Sequence, residues 1–148
     1  MKILAPELLL EEYRTLLQDD GADCLPLIIS GWSMTPFLIH GRDTVYLSRL
    51  TRAPRRGDML LYRRDGGAYI LHRVYKKENG TLTMLGDAQR MPEPGIREDQ
   101  IIAIVTKVLR KEKLLAPGSF WWEFFEKVWV RIVPLRSILL WGYRKVFH

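Results

Sequence analysis

One serine stands in a short turn bounded by glycine and proline, in the stretch SGWSMTP at residues 30–36. Ser33 lies there between Trp32 and Met34, directly after the apolar run LPLIIS. An ordinary turn serine bonds its own backbone. A serine held rigidly by packed neighbours is instead typical of a nucleophile, and a nucleophilic hydroxyl needs a base from elsewhere in the chain. Both interpretations are open at this point.

The candidates for that base are the three histidines. His40 follows the serine turn and His148 is the last residue, so both are expected to be exposed. His72 lies inside the run AYILHRVYKK, which predicts a strand. Because alternate residues of a strand share a face, His72 shares its face with Ile70 and Val74. A histidine on an apolar strand face is more often a packed core residue than a base, so the strand alone does not decide the question.

The hairpin after His72 predicts an acidic partner for it. AYILHRVYKKENG and TLTMLGDAQ are joined by Asn79 and Gly80, a pair that favours a tight antiparallel turn. Pairing across this turn returns Asp87 toward the beginning of the His72 strand. A carboxylate there would accept the second imidazole N–H, fix the tautomer and stabilise the imidazolium. The alternative is that GDAQ is a strand-ending turn capped by Asp87.

The elements that must position these residues begin with a helix. PELLLEEYRTLLQDDG predicts one amphipathic helix, with Pro6 in its first turn and Gly21 at its end. From Leu25 to Leu115, six β-rich runs alternate with turn signals: LPLIIS, DTVYLSRL, DMLLYRR, AYILHRVYKK, TLTMLG and IIAIVTKVL. Hairpin connections without intervening helices predict a mainly β fold, either a coiled antiparallel sheet or a partly open barrel.

The C-terminal tail, residues 118–148, differs in composition from the β unit with its N-terminal helix, residues 1–117. Most of the tryptophans lie in this tail, with lysine and arginine between them. Pro134 predicts a division into two short amphipathic helices. Tryptophan and arginine on such helices favour peripheral contact with an anionic membrane. Packing on the sheet and dimerisation are the alternatives.

Composition narrows the classes of function. The 148 residues, 47% of them hydrophobic, predict one globular domain, and the net charge of +6 suits either an acidic partner or a solvated basic face. The single cysteine excludes an internal disulfide and leaves no Cys/His cluster for zinc, so no metal or cofactor is expected. Glutamates interrupt the N-terminal segment, and no apolar run approaches the ~18 residues of a spanning helix. We therefore predict no signal peptide, no transmembrane helix, and a cytoplasmic or peripherally membrane-associated protein.

Four boxes in a fixed order resemble the signal peptidase I and LexA-like serine peptidases: SGWSMTP, RRGDMLLY, LHRV and LGDAQ. The resemblance extends from about Leu25 to Val108. Most bacterial signal peptidases and the repressors carry lysine as the base. The HRV stretch is instead similar to the endoplasmic-reticulum and archaeal-type signal peptidases, whose base is histidine. The resemblance implies Ser33 as the acylated nucleophile, His72 as the general base and Asp87 as the acid that orients it.

The same resemblance implies where a substrate binds. Gly31, Trp32 and Met34 would form the oxyanion and groove region, with the backbone N–H of Ser33 as an oxyanion donor. The substrate would be an extended peptide or pre-protein, bound by strand addition. The sequence GDAQRMPEPG diverges from the family's late box after its aspartate, so Asp99 is an alternative third residue.

These observations predict a serine endopeptidase that cleaves signal-like or leader segments. A different hypothesis is a catalytically inactive β-fold module that docks on a membrane or a protein partner through its tail. A nucleic-acid binder is disfavoured because the strands lack a basic face with interleaved aromatics, so no nucleic acid is expected as a partner. The oligomeric state is not predicted.

Overall fold

The computed structural model describes residues 6–147. Helix α1 precedes an antiparallel sheet of eight strands, in the order β1-β2-β7-β3-β4-β5-β6, with β8 paired to β7. The bounds are α1 (Pro6–Gln18), β1 (Leu25–Ile28), β2 (Thr44–Ser48), β3 (Met59–Arg63), β4 (Tyr69–Glu78), β5 (Thr81–Leu85), β6 (Glu93–Ile96), β7 (Ile101–Arg110) and β8 (Lys113–Leu115). The predicted mainly β fold is confirmed, and the sheet is open rather than closed into a barrel.

The predicted strands all form, and two short ones were not predicted. The sequence of β6, EPGI, contains a proline and a glycine, which is typical of an edge strand, and β6 pairs only with β5 among the described strands. The hairpin between β7 and β8 turns without glycine, because Lys111 and Glu112 adopt φ values of 50° and 66°. The predicted turn between β4 and β5 does form, with φ of 51° at Asn79 and 80° at Gly80.

Alternate side chains of the central strands face two different apolar clusters. We call the face of Leu60, Tyr62 and Val74 the front face, and the face of Leu61 and Phe37 the back face. His72 pairs with Leu60 across β3 and β4, so it lies on the front face, whereas its neighbours in β4 point backward. The site is therefore built between the front face and the turn that follows β1.

The helical tail covers the back face. Its segments are α2 (Phe120–Glu123), a π-helical turn (Phe124–Val128), a 3₁₀ turn (Trp129–Arg131), a second 3₁₀ turn (Val133–Leu135) and α3 (Arg136–Phe147). The helical path breaks at Ile132, with φ −104° and ψ 38°, two residues before Pro134. The back cluster contains the buried side chains of Trp122, Phe125 and Trp129. The inner side of the tail therefore packs on the sheet, which was one of the alternatives to membrane contact.

The outer side of the tail is exposed and carries aromatic rings. Phe120, Trp121 and Trp141 are 70%, 45% and 63% exposed. Across residues 6–147, no helix has both the length and the apolarity needed to cross a bilayer.

Candidate active site

Ser33 lies in the turn that follows β1, and this turn is fixed by contacts on both sides. Gly31 adopts φ of +93°, a conformation that favours glycine. Its N–H donates to Nδ1 of His40 at 2.8 Å, and the His40 ring stacks on Trp32. On the other side, the N–H of Ala88 donates to the carbonyl oxygen of Ser33 at 2.8 Å. His40 therefore supports the turn instead of facing the serine hydroxyl.

The side chain of Ser33 faces His72 across the front of the sheet. The hydroxyl Oγ lies 3.1 Å from Nε2 of His72, within the distance over which a base accepts a proton. His72 is 5% exposed, whereas Ser33 is only half-buried. The pair thus combines a shielded imidazole with a partly exposed serine. His148, the third histidine considered as a base, lies outside the described residues.

Gly86, which directly follows β5, allows the backbone there to approach Ser33 and His72 closely. A Cβ atom added at Gly86 would lie 2.6 Å from the carbonyl oxygen of Ser33 and 3.1 Å from Cδ2 of His72. The first distance is shorter than real Cβ atoms tolerate, and its partner is backbone. The glycine of LGDAQ is therefore needed for a close approach of the chain to the serine turn.

Asp87 lies elsewhere than predicted. Its oxygens accept hydrogen bonds from Nε and an Nη of Arg73 at 2.9 and 3.0 Å, and both side chains are almost fully buried. The hairpin does bring Asp87 back to β4, as expected, but to the residue after His72. Because consecutive strand residues point to opposite faces, Asp87 meets the back-face guanidinium and not the front-face imidazole. The hairpin therefore returns Asp87 to the predicted strand, β4, but on the face opposite His72.

The tail holds the loop that contains Asp87. Nε1 of Trp129 donates to the Asp87 carbonyl oxygen at 2.7 Å. The fully buried guanidinium of Arg136 donates to the carbonyl oxygens of Gly86 and Gln89, each at 3.0 Å. These contacts link the tail to the segment whose Ala88 N–H binds the serine turn. Composition gave no signal for this link.

The second imidazole nitrogen faces a tyrosine. Nδ1 of His72 lies 3.4 Å from the hydroxyl oxygen of Tyr62, and that hydroxyl donates to Oε1 of Glu93 at 2.8 Å. Arg64 donates to both oxygens of Glu93, at 2.9 and 3.0 Å. Sequence reasoning missed these residues.

Strand register explains how they meet. Leu60 pairs with His72 and Tyr62 with Ile70, so the tyrosine is the diagonal neighbour of the imidazole on the front face. Glu93 begins β6, the edge strand that was not predicted. One sequence pattern could have indicated part of this cluster. Tyr62 and Arg64 are two residues apart in LLYRR, a spacing that places both side chains on one face of a strand.

Burial sets the charge states of this cluster. It lowers the pKa of His72 to about 4, with the Arg64 charge adding to the shift and the Glu93 charge opposing it. Burial would raise the pKa of Glu93, but hydrogen bonds from Arg64 and Tyr62 outweigh it, so the pKa of Glu93 is lowered. Burial, and then the bond to Glu93, raises the pKa of Tyr62. At neutral pH the cluster holds a neutral imidazole, an ionised carboxylate and a protonated phenol.

The other predicted site residues are Met34, Trp32 and Asp99. Met34 is 3% exposed and packs in the back cluster, so it supports the turn from below and does not reach a groove. Trp32 is 56% exposed and its ring stacks on His40. Asp99 is exposed and bonds Arg97 at 3.0 Å, so it is no substitute for the third residue.

The family model described as Peptidase S24-like matches residues 6–109, from α1 through most of β7. No curated protein matches the chain. The matched span contains Ser33, His72 and the cluster behind the imidazole, and the tail lies beyond it.

Proposed function

The chain belongs to the peptidase S24-like family, and from this premise we propose that it is a serine endopeptidase with Ser33 as nucleophile and His72 as general base. Family membership indicates peptidase activity at a coarse level. The single observation that supports the assignment of residues is the 3.1 Å separation of Ser33 Oγ and His72 Nε2. We propose that the chain is most similar to the signal peptidases that use a histidine base, because an imidazole and not an amine faces the serine.

The proposed reaction follows from this contact. Nε2 takes the proton of the Ser33 hydroxyl as Oγ attacks the carbonyl carbon of a peptide bond. The imidazolium then gives that proton to the leaving amine, and an acyl-enzyme remains, which water hydrolyses with the same base. Within residues 6–147, no acceptor takes the backbone N–H of Ser33, so this donor is available to the developing oxyanion.

The proposed substrate is an extended segment of a peptide or pre-protein. Among the described strands β1 pairs only with β2, and β1 ends at Ile28, shortly before the nucleophile. An extended peptide that pairs with the free edge of β1 would pass along the serine turn. We propose signal-like or leader segments as substrates, because the four sequence boxes resemble those of signal peptidases and the exposed ring of Trp32, next to Ser33 in the chain, offers an apolar contact.

The test is digestion of a library of unstructured peptides by the purified full chain, with products identified by mass spectrometry. Cleavage at a limited set of sites is expected, with leader-like segments among the substrates. The matched control is the double variant Ser33→Ala/His72→Ala, which should give no products. A folded chain that cleaves no peptide would remove the proposal.

Cleavage is expected to persist at unusually low pH. His72 acts as a base only when neutral, and its pKa is lowered to about 4. A lowered pKa keeps the imidazole neutral in more acidic solution, so the acidic limb of kcat/KM should lie near this value instead of the ~6.5 of a free histidine. The charged groups that face the ring are Arg64 and Glu93. The measurement is the pH profile of kcat/KM, with tryptophan fluorescence to verify folding at each pH; a limb between pH 6 and 7 would contradict it.

We also propose peripheral contact with an anionic membrane through the outer side of the tail. Exposed rings of Trp121 and Trp141 lie there with exposed cations, among them Lys127, Arg131 and Lys145. Aromatic rings at headgroup depth and cations near anionic lipid together favour this surface.

Vesicle flotation tests this contact with point variants. Deletion of the tail is unsuitable because Trp129 and Arg136 bind the loop beside the serine. The variant Trp121→Ala/Trp141→Ala is expected to weaken binding to phosphatidylglycerol vesicles by about 10-fold or more, and phosphatidylcholine vesicles should bind poorly. Leu114→Ala, which removes an exposed apolar side chain from β8, is the control. Equal flotation of both variants and the original chain would exclude the contact.

A further inference from the structure

We propose that Tyr62 and Glu93 are positioning residues, which set the tautomer of His72 so that Nε2 is free to accept the Ser33 proton. The inference deepens the proposed function and rests on it for its catalytic consequence. The arrangement of hydrogens that it assigns is a property of the folded chain and is measurable without a substrate.

The direction of each hydrogen bond follows from the donors available. An ionised carboxylate only accepts, so the contact of 2.8 Å between Tyr62 and Glu93 requires the phenol to donate. Arg64 has no lone pair and also donates to Glu93. The hydroxyl proton of Tyr62 is therefore used in the hydrogen bond to Glu93, and the phenol oxygen can only accept a hydrogen bond from the imidazole.

The tautomer follows from this hydrogen bond. Nδ1 of His72 faces the lone pairs of Tyr62, so it must carry the hydrogen and donate. A neutral imidazole has one N–H, which leaves Nε2 with a lone pair directed at Ser33 Oγ. The opposite tautomer would place two lone pairs against each other at Tyr62 and would turn Nε2 into a donor, which cannot act as a base.

Burial makes this preference strong. Tyr62 is fully buried and His72 is 5% exposed, so little water competes for Nδ1. In the opposite tautomer the buried Nδ1 would have no hydrogen-bond donor facing it, and a buried polar atom without a partner is disfavoured. The resting distance of 3.4 Å is longer than an ordinary N–H···O bond, whose upper range is ~3.2 Å. Catalytic hydrogen bonds are often long without substrate and shorten as charge develops, here on the imidazolium.

The chain of contacts also favours the charged intermediate. When Nε2 gains a proton, Nδ1–H donates to an oxygen polarised by the Glu93 carboxylate. The imidazolium therefore interacts with the Glu93 carboxylate indirectly, through the phenol of Tyr62. The sequence had predicted a direct contact with Asp87 instead. Arg64 fixes Glu93 in place and partly offsets its charge.

The decisive measurement is the ¹⁵N spectrum of the imidazole in the full-length chain labelled at histidine. His72 signals are identified by their loss in His72→Gln. The expected pattern near neutral pH is a protonated Nδ1 and an unprotonated Nε2. In Tyr62→Phe, which keeps the ring and removes the hydroxyl, the population should shift toward the Nε2–H form. Tyr46→Phe is the matched control, since β7 and β3 separate its strand from β4.

Kinetics supply the second readout. Tyr62→Phe is expected to lower kcat for peptide cleavage by at least about 10-fold with little change in KM, since a buried phenol does not touch the substrate. Glu93→Gln should also lower kcat, and it should move the acidic limb to lower pH because the Glu93 charge raises the pKa of His72. The double variant should lose no more than the more damaged single variant, as residues acting in one chain are not additive.

The outcomes separate the two proposals. An Nε2–H tautomer in the unaltered chain, or an unchanged tautomer and kcat in Tyr62→Phe, would overturn the inference even if peptides are cleaved. The expected tautomer in a chain that cleaves nothing would instead leave the positioning intact and overturn the peptidase assignment. Thermal unfolding of each variant verifies that it folds.

Discussion

Replacement of Ser33 by alanine is expected to lower kcat/KM for peptide cleavage by on the order of 10³-fold or more. The change removes one oxygen that lies 3.1 Å from Nε2 and leaves the turn's backbone contacts in place. The N–H of Gly31 still binds His40, and the carbonyl oxygen of residue 33 still binds Ala88. The melting temperature should therefore change little while turnover is lost. The measurement is kcat/KM on the best library peptide beside a thermal melt.

The control for this change is Ser30→Ala. Ser30 is an exposed serine in the same stretch, and removal of its hydroxyl tests whether any alteration of the turn has the same effect. Cleavage should be retained in Ser30→Ala. Equal losses in both variants, or full activity in Ser33→Ala, would exclude Ser33 as the nucleophile.

Replacement of Asp87 by alanine is expected to lower the free energy of unfolding by about 3–5 kcal/mol. The change leaves the Arg73 guanidinium, whose side chain is 2% exposed, without its carboxylate. A buried unpaired charge is the costly product of such a deletion. For a chain of this size the melting temperature should fall by roughly 10 °C, and thermal or urea unfolding measures it.

Two variants make this expectation specific. Asp65→Ala breaks an ion pair with Arg97 in which the Arg97 side chain is 48% and the Asp65 side chain 75% exposed, so it should change the melting temperature little. Arg73→Met/Asp87→Leu replaces both charges by apolar side chains and should recover stability relative to Asp87→Ala. A similar small loss in Asp87→Ala and Asp65→Ala would contradict the structural role of Asp87. The tautomer of His72 should be unchanged in Asp87→Ala, since this carboxylate bonds Arg73.

Local sequence signals predicted the fold. Asn79 and Gly80 fixed the β4–β5 hairpin, and period-two alternation placed His72 on the face of Val74. Strand β6 was not predicted, because its sequence EPGI contains a proline and a glycine, which usually interrupt strands. The catalytic roles of Ser33 and His72 came from an ordered set of boxes and stay predictions, since contact shows proximity and not turnover.

The partner of the imidazole required information that the sequence does not hold locally. Glu93 reaches the site only through the successive registers of β3, β4, β5 and β6, and an error of one residue in any of them would move it to the other face. Asp87 was placed on the correct strand end but on the wrong side of it. Its partner, Arg73, follows the histidine directly in the same strand.

The buried guanidinium of Arg136 links the tail to the loop beside Ser33, so the tail and the β unit are not independent parts. Residues 118–148 have the composition of a membrane-contact segment, yet the guanidinium of Arg136 and the indole of Trp129 donate hydrogen bonds to the loop beside Ser33. Grafting residues 6–109 alone onto another protein would transfer Ser33 and His72 without that support. A replacement tail would keep the loop beside Ser33 in place only if it supplied a cation and an N–H at the same two points, so the proposed membrane contact and the proposed active site depend on one segment.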